Sequence, residues 1–548
     1  MATTPVVLRS LPGIKRDGTK FEGDYYVDGQ WVRFQRGLPR KIGGYKVINR
    51  YLTEISRGVK TYTQNSYTYF HTGSAGFVER FRVNGAGVSS LISNRTPLSL
   101  EVSDQNLWQF DVIYDSQGLP PNNSIVAQVA PNSGCICNTD GGQLFIGDLT
   151  GTDVLTEITT FPAGANVTGG VCVLHPYLTY FGHDGFFGWS VPGDPTDLTG
   201  VGSGNARIAA QKIVRGIPLR GGPGNAPSGL YWSADAVIRA SFVGGEQVFQ
   251  FDTISPDSSI LSAASAIEYD GQYFWIGTDR FLMFNGVVRE IPNNMNINYF
   301  FDGLNQNQRQ KVFAYKVPRY GEIWWCYPRG NATECTHAII FNVREGLWYD
   351  TELPNGGRSA GEWSPVYGAP MLCGIEQSDF APNNRITENG DIRITQDDNT
   401  RILQPEEGFK VWQHEYGRNE IDGQFLSAVP SYFETADMSM LTPQGGSKNK
   451  WIHVDSIECD FVQSENMTVQ LTGRANAKAG EVDGPVRTIF ATPSTPYEQI
   501  VNFKEERREL RFKFTSNILN GDYQMGQIIA HIGEADGTVL GAVAGGST

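Results

Sequence analysis

The chain has 548 residues, 19% of them charged, with 44 Lys and Arg against 58 Asp and Glu and a net charge of −14. That length allows a sizeable buried core without metals or disulfides, and the acidic balance excludes a generally basic nucleic-acid coat and argues against an anionic membrane surface as partner. The 63 Gly and 28 Pro are about one residue in six, which favours many short strands joined by turns.

The start, Met1-Ala2-Thr3-Thr4-Pro5-Val6-Val7-Leu8-Arg9, lacks the charged-then-apolar pattern of a leader, and no stretch approaches the roughly 18 apolar residues of a membrane span. A soluble protein made in the cytoplasm is expected. The first organised feature is Tyr25-Tyr26-Val27-Asp28-Gly29-Gln30-Trp31-Val32-Arg33-Phe34, where Asp28-Gly29 between aromatic runs predicts a hairpin turn. Behind it Arg33, Arg36, Arg40, Lys41 and Lys46 fall within fourteen residues that contain no Asp or Glu. Such a run reads as a solvated edge, the alternative being a face for an acidic partner.

To about residue 375 a short aromatic strand recurs, followed each time by a turn and another strand. The clearest copies are Tyr177–Phe181, Leu230–Trp232, Tyr273–Ile276, Ile323–Trp325 and Met371–Cys373, whose starts lie 53, 43, 50 and 48 residues apart. Weaker copies begin at Tyr67, Leu107 and Leu144. The period matches the roughly 40–50 residues of a four-stranded propeller blade, and a propeller of about six blades is predicted; successive β-sandwiches are the alternative. Phe284-Asn285-Gly286-Val287-Val288 reads as a hairpin inside one blade. Ile297, Phe300 and Leu304 form an apolar stripe that predicts a short helical insertion over 294–311. Gly216–Gly229, broken by Gly and Pro, reads as an exposed loop.

Beyond a polar stretch the pattern becomes strict alternation: Ile457, Cys459, Phe461; Met467, Val469, Leu471; Leu510, Phe512, Phe514. Sheets wet on one face are expected, with Glu458, Asp460, Gln470, Arg511 and Lys513 outward. The predicted class is all-β: a hairpin and arm over 1–46, a β-propeller over 47–375, a linker over 376–408, a β-sandwich-like platform over 409–535 and a flexible tail over 536–548.

No pattern of catalysis stands out. His414-Glu415 opens like a zinc-protease motif, but Arg418 occupies the place of the second histidine, so both read as surface polar residues. Cys135 and Cys137 lack a second pair at finger spacing and would need His175 or His183 to bind zinc. Gly445-Gly446-Ser447-Lys448 lacks the spacing of a phosphate loop. Asp397-Asp398 and Glu406-Glu407 are adjacent acids of a kind that is normally solvated rather than paired as in a glycosidase. The seven cysteines (135, 137, 172, 326, 335, 373 and 459) are scattered, which predicts reduced, mostly buried thiols. The eleven Trp and 23 Tyr could stack on sugars or bases, with burial in sheet cores the commoner fate. No catalytic residue, metal ligand or cofactor is predicted.

The chain resembles the packaged-DNA stabilisation or tail nozzle proteins of short-tailed bacteriophages. The resemblance rests on Tyr26–Phe34 leading to Gly37–Tyr45, on Gly271–Gly277, Phe281–Ile291, Ile323–Pro328 and Ala338–Trp348 in that order, and on Arg508–Thr515 with Ile528–Ile532. These strings span most of the chain, contain no invariant catalytic residue and leave 95–215 without a counterpart. The resemblance implies a virion tail protein that is not an enzyme, with a propeller attached to a β-rich platform. Several copies, usually six, would form a ring below the portal and adaptor, beside needle, fibre or spike proteins. The ring would extend the channel, retain packaged double-stranded DNA and guide its ejection. An acidic wall suits that task, because each phosphate neutralised by a Lys or Arg would add affinity to DNA that must slide. Gly216–Gly229, with Arg215 and Arg220, and Met438–Lys450 are the loops expected to narrow the lumen. The alternative is a propeller module that recognises surface glycans.

Overall fold

The computed structural model describes residues 3–20, 24–118, 120–130, 141–219, 227–245, 247–377, 408–439, 450–476, 478–495, 498 and 500–535. Among these residues, seven sheets follow one another, six of them four-stranded and antiparallel. The first opens at Gly58–Gln64, the second at Leu107–Asp115, the third at Gly170–Leu174 and the fourth at Ile213–Pro218. The fifth opens at Ile267–Tyr269, the sixth at Phe313–Val317 and the seventh at Arg358–Ser364. These opening strands stand around a circuit, with the turn Ala263–Ser265 packed against those of the fourth and sixth sheets, and the seventh packs back onto the first. The architecture is a β-propeller. Its circuit has seven sheets where the aromatic period predicts about six.

The difference has a physical cause. The period followed the buried second strand of each sheet, and these begin at residues 67, 122, 177, 228, 272, 322 and 369. Six of them carry aromatic or large apolar side chains. The strand Asn122–Ala130 has the sequence NNSIVAQVA and buries Ile125, Val126, Ala127 and Val129 instead. Leu107 and Leu144 belong to the strands on either side of it, so the aromatic period marks that sheet at its neighbours instead.

The seventh sheet is composite. Arg358–Ser364 and Ala369–Gln377 are followed by Phe409–His414 and then by Tyr45–Leu52 from the N-terminal part, which closes the circuit. The hairpin Asn419–Asp422 with Phe425–Ala428 extends the same sheet outward. Phe409–His414 therefore belongs to the propeller rather than to a platform beginning at 409.

A β-sandwich carries the rest. One sheet has the order Thr4–Leu8, Ile528–Ala535, Trp451–Cys459, Ile500–Arg507. The other runs Asp28–Gln30, Ser431–Glu434, Glu509–Ser516, Met467–Arg474, Val482–Asp483. Val454, Ile457, Phe503, Ile528 and Ala530 of the first pack with Val469, Leu471, Phe512 and Phe514 of the second, with the Phe503 and Phe512 rings 5.4 Å apart. Residues 1–46 are thus not a separate arm: they supply one strand to each sandwich sheet, and Val32–Gln35 and Leu38–Lys41 join Tyr523–Gln524 in a further sheet.

Several local expectations change with the pairing. Asp28 and Gly29 form a strand with Phe433 and Glu434, and the tight turn lies at Arg36-Gly37, both at positive φ (54° and 74°). The basic run is not a solvated edge, since Arg33 and Lys41 are buried. Arg511 is buried as well, bonded to Glu434, Asp437 and Glu481, rather than outward. Gly216–Pro218 and Ser228-Gly229 are strand residues, while 220–226, with Arg220, lie outside the described residues. The hairpin around Gly286, at φ 112°, forms where predicted. Of the linker predicted over 376–408, residues 378–407 lie outside the described residues, as does the tail 536–548.

The helical insertion also forms, as an α-helix over Ile297–Gly303 and a 3-10 turn over Gln306–Lys311. Asn296 makes no side-chain cap. Asp17 caps the helix instead, accepting hydrogen bonds from the backbone N–H of Asn298 (2.9 Å) and Tyr299 (2.8 Å) across the chain. Asp17→Ala is expected to lower stability by about 0.5–2 kcal/mol, measured by denaturant unfolding, because two N–H groups of the first turn lose their acceptor. Asp17→Asn should recover most of that loss.

Candidate functional site in the bore of the propeller

Opening strands present alternate side chains to the axis, and together they enclose a cavity of about 640 Å³. Its wall includes charged residues from six positions around the circuit: Arg57 and Lys60, Asp111, Arg215, Glu268, Lys311 with Lys316, and Glu362. Most of these charges are consumed by one another. Lys60 Nζ lies 3.5 Å from Asp111 and 3.4 Å from Glu362, which link the first, second and seventh sheets. Lys316 Nζ donates to the Glu268 carboxylate (3.0 Å) and to its backbone carbonyl (2.8 Å). Arg57 and Lys311 share Glu334, the lysine at 2.9 Å.

The electrostatics follow from this pairing. Glu362 raises the Lys60 pKa more than burial lowers it, with Asp111 adding to the effect, so the ammonium is held charged. Arg215 differs: burial lowers its pKa, and its Nε has no hydrogen-bond partner among the described residues. The nearby Cys172 thiol is pushed up to about 12 by burial, so it is not a thiolate nucleophile. The volume of the bore is that of an ordinary small-molecule site. It offers no activated nucleophile beside a base among the described residues.

The residues singled out in the sequence are not brought together here. His414 and Glu415 are not surface groups. His414 is buried, stacks on Tyr45 (5.3 Å between centroids) and accepts a hydrogen bond from Arg358 Nε (3.1 Å). Burial and Arg358 push its pKa well down, which keeps it neutral. Glu415 binds Arg33. Cys172, Cys326, Cys335 and Cys373 are buried and unpaired, and Cys459 is half-buried. Cys135, Cys137, Asp397, Asp398, Glu406, Glu407 and Gly445–Lys448 lie outside the described residues. Nine of the eleven Trp are buried, which leaves few rings for stacking on an external ligand. Among the described residues no three His, Cys, Asp or Glu side chains are grouped to hold a metal ion, and no helix is long and apolar enough to cross a membrane.

Sequence reasoning missed the bore residues because Lys60, Asp111 and Glu362 sit in three strands with unrelated neighbours. Only the circuit of sheets makes them adjacent.

No family model matches the chain, and no curated protein sequence does. Among solved structures it is similar to the WD40 β-propeller domain of Doa1, at 13% identity and a TM-score of 0.37, over 60% of this chain and 93% of that one. The assignment to the β-propeller class rests on the strand pairing of this chain.

Proposed function

We propose that this protein is a structural component of a short-tailed phage tail. Several copies form a ring that extends the channel, retains packaged DNA and guides its ejection. What supports this reading is the construction of each copy. One N-terminal stretch runs through both sandwich sheets and then closes the seventh propeller sheet, so sandwich and propeller are tied into one unit. A wall that must withstand the force of packed DNA needs such a unit. The net charge of −14 adds to it, since an acidic wall does not retain duplex by its phosphates.

The propeller bore is too small to pass a duplex, so the DNA path in this proposal lies between copies, around a shared axis. The partners are the portal adaptor on one side and needle, fibre or spike proteins on the other, and the protein has no catalytic part. The loops proposed to narrow the lumen include 220–226 and 440–449, outside the described residues.

Electron imaging of particles that carry the protein tests the reading. A ring of copies around the tail axis, six by resemblance, is expected, with empty or leaking particles when the gene product is missing. Particles that package and retain DNA normally without it would overturn the proposal.

The bore supports a second reading, a binding module that takes a small polar ligand such as a glycan, because its volume suits one. Saturable binding of host glycans by the isolated monomer would favour that reading over the first.

A further inference from the structure

A second cavity, of about 210 Å³, lies where three parts of the molecule meet. The segment Arg40–Gly43 forms one wall, and the turn with Arg319 and Tyr320 in the sixth sheet forms another. Glu415, Gly417 and Arg418, after the strand Phe409–His414, and Gly521-Asp522 of the sandwich complete it. The volume corresponds to roughly seven waters.

Lys41 is the decisive group. Its side chain is 4% exposed, and among the described residues its Nζ has no hydrogen-bond partner. A buried ammonium without a partner is costly, and most such groups are paired. Among the described residues the carboxylates nearby make no hydrogen bond to it, although Asp522 acts on it through space. Glu415 is engaged by Arg33 through both oxygens (3.0 Å and 2.5 Å), and Asp522 faces Arg418 at 3.7 Å. The remaining groups are cationic. The guanidinium carbons of Arg33, Arg40 and Arg319 lie 3.7, 5.8 and 5.3 Å from the centre of the Tyr320 ring, and among the described residues Arg319 has no ion pair. Arg40 is held by Gln35 (2.7 Å) rather than by a carboxylate. Four cations, Arg40, Lys41, Arg319 and Arg418, therefore line a space that holds two carboxylates, Glu415 and Asp522, and Glu415 is already bound by Arg33.

The geometry points to a binding site for a phosphate group in this cavity, with Lys41 as the buried donor and Arg40, Arg319 and Arg418 at the rim. A tetrahedral oxyanion supplies the acceptors that Lys41 lacks and offsets the excess of positive charge. The inference is independent of the proposed function. Burial lowers the Lys41 amine to about 8, with Asp522 opposing. An anion beside it stabilises the ammonium, so binding takes up protons above that pH and weakens as pH rises through 8.

Calorimetric titration of the full-length protein in phosphate-free buffer tests this, with inorganic phosphate and glycerol phosphate as separate probes. One saturable site is expected, with proton uptake near pH 8 and weaker binding at pH 9 than at pH 7. Tighter binding of inorganic phosphate would mark a site for the free ion, and equal or tighter binding of the ester a site for the terminal phosphate of a larger molecule. Lys41→Met should reduce affinity by at least roughly tenfold, the value of one charge-assisted bond, and Lys41→Arg should retain part of it. Should Lys41→Met not fold, Arg319→Gln at the rim is expected to weaken binding without loss of structure. Absence of saturable binding by the wild type at millimolar phosphate, or unchanged affinity in both Lys41→Met and Arg319→Gln, would overturn the inference.

Discussion

Arg33→Met is expected to destabilise the protein by about 3–5 kcal/mol, the range for removing one partner of a buried ion pair. Arg33 is 1% exposed and Glu322 is fully buried, with Arg33 Nε 2.9 Å from Glu322 Oε1. Tyr349 and Trp324 donate to the two oxygens of Glu322 (2.7 Å and 2.9 Å), and Glu415 completes the cluster. The guanidinium comes from the N-terminal hairpin, Glu322 from the sixth sheet and Glu415 from the end of the seventh, so one substitution loosens three elements. Burial raises the pKa of Glu322, and Arg33 opposes that rise. A carboxyl raised by folding binds more protons in the folded than in the unfolded state between the two pKa values, so its presence lowers stability as pH rises through that window. Without Arg33 the window extends upward, and the deficit of the variant should be smaller near pH 5 than near pH 8. Tryptophan fluorescence during urea unfolding at both pH values measures it. A loss under about 1 kcal/mol, as for a surface pair, would show that the cluster does not hold these elements together.

Deleting residues 1–52 is expected to abolish cooperative unfolding, whereas deleting 1–8 should leave a folded protein. The longer deletion removes Asp28–Gln30 from one sandwich sheet, Val32–Gln35 and Leu38–Lys41 from the sheet with Tyr523–Gln524, and Tyr45–Leu52 from the seventh propeller sheet. It also strips Trp31 and Tyr45 from Trp412 and Trp324, whose rings lie 5–6 Å from theirs. A propeller without its closing strand has two free sheet edges and an uncovered face. By contrast Thr4–Val7 are exposed on an edge strand, and only Leu8 is buried, so the shorter deletion should cost about 1.5–3 kcal/mol. Calorimetric melting separates the cases. A sharp transition with native strand content in the longer deletion would mean that the propeller closes without Tyr45–Leu52.

Much of the propeller was legible because its signal is local. Buried second strands such as Ile323-Trp324-Trp325 and Tyr273-Phe274-Trp275 declare themselves by side chains that must leave water, and the turns between them by Gly and Asn. Where burial used small residues, as in Asn122–Ala130, the signal vanished and one sheet went uncounted. The alternation of Val469 and Leu471 or of Leu510, Phe512 and Phe514 revealed the sandwich strands, but not that Arg511, between Leu510 and Phe512, is buried with three carboxylates.

Hydrophobic periodicity and turn chemistry alone thus determined that the chain is all-β, that short sheets recur along it and that a sandwich ends it, because each of these depends on neighbours within a few residues. Which strand closes the circuit, which charges meet in the bore and that Lys41 is buried with no hydrogen-bond partner among the described residues were decided by tertiary structure. These depend on pairs hundreds of residues apart, such as Arg33 with Glu322 and Tyr45 with His414. A charge reads as solvated in sequence until the fold removes its water, and the identity of the group that replaces that water is settled only when distant strands come together.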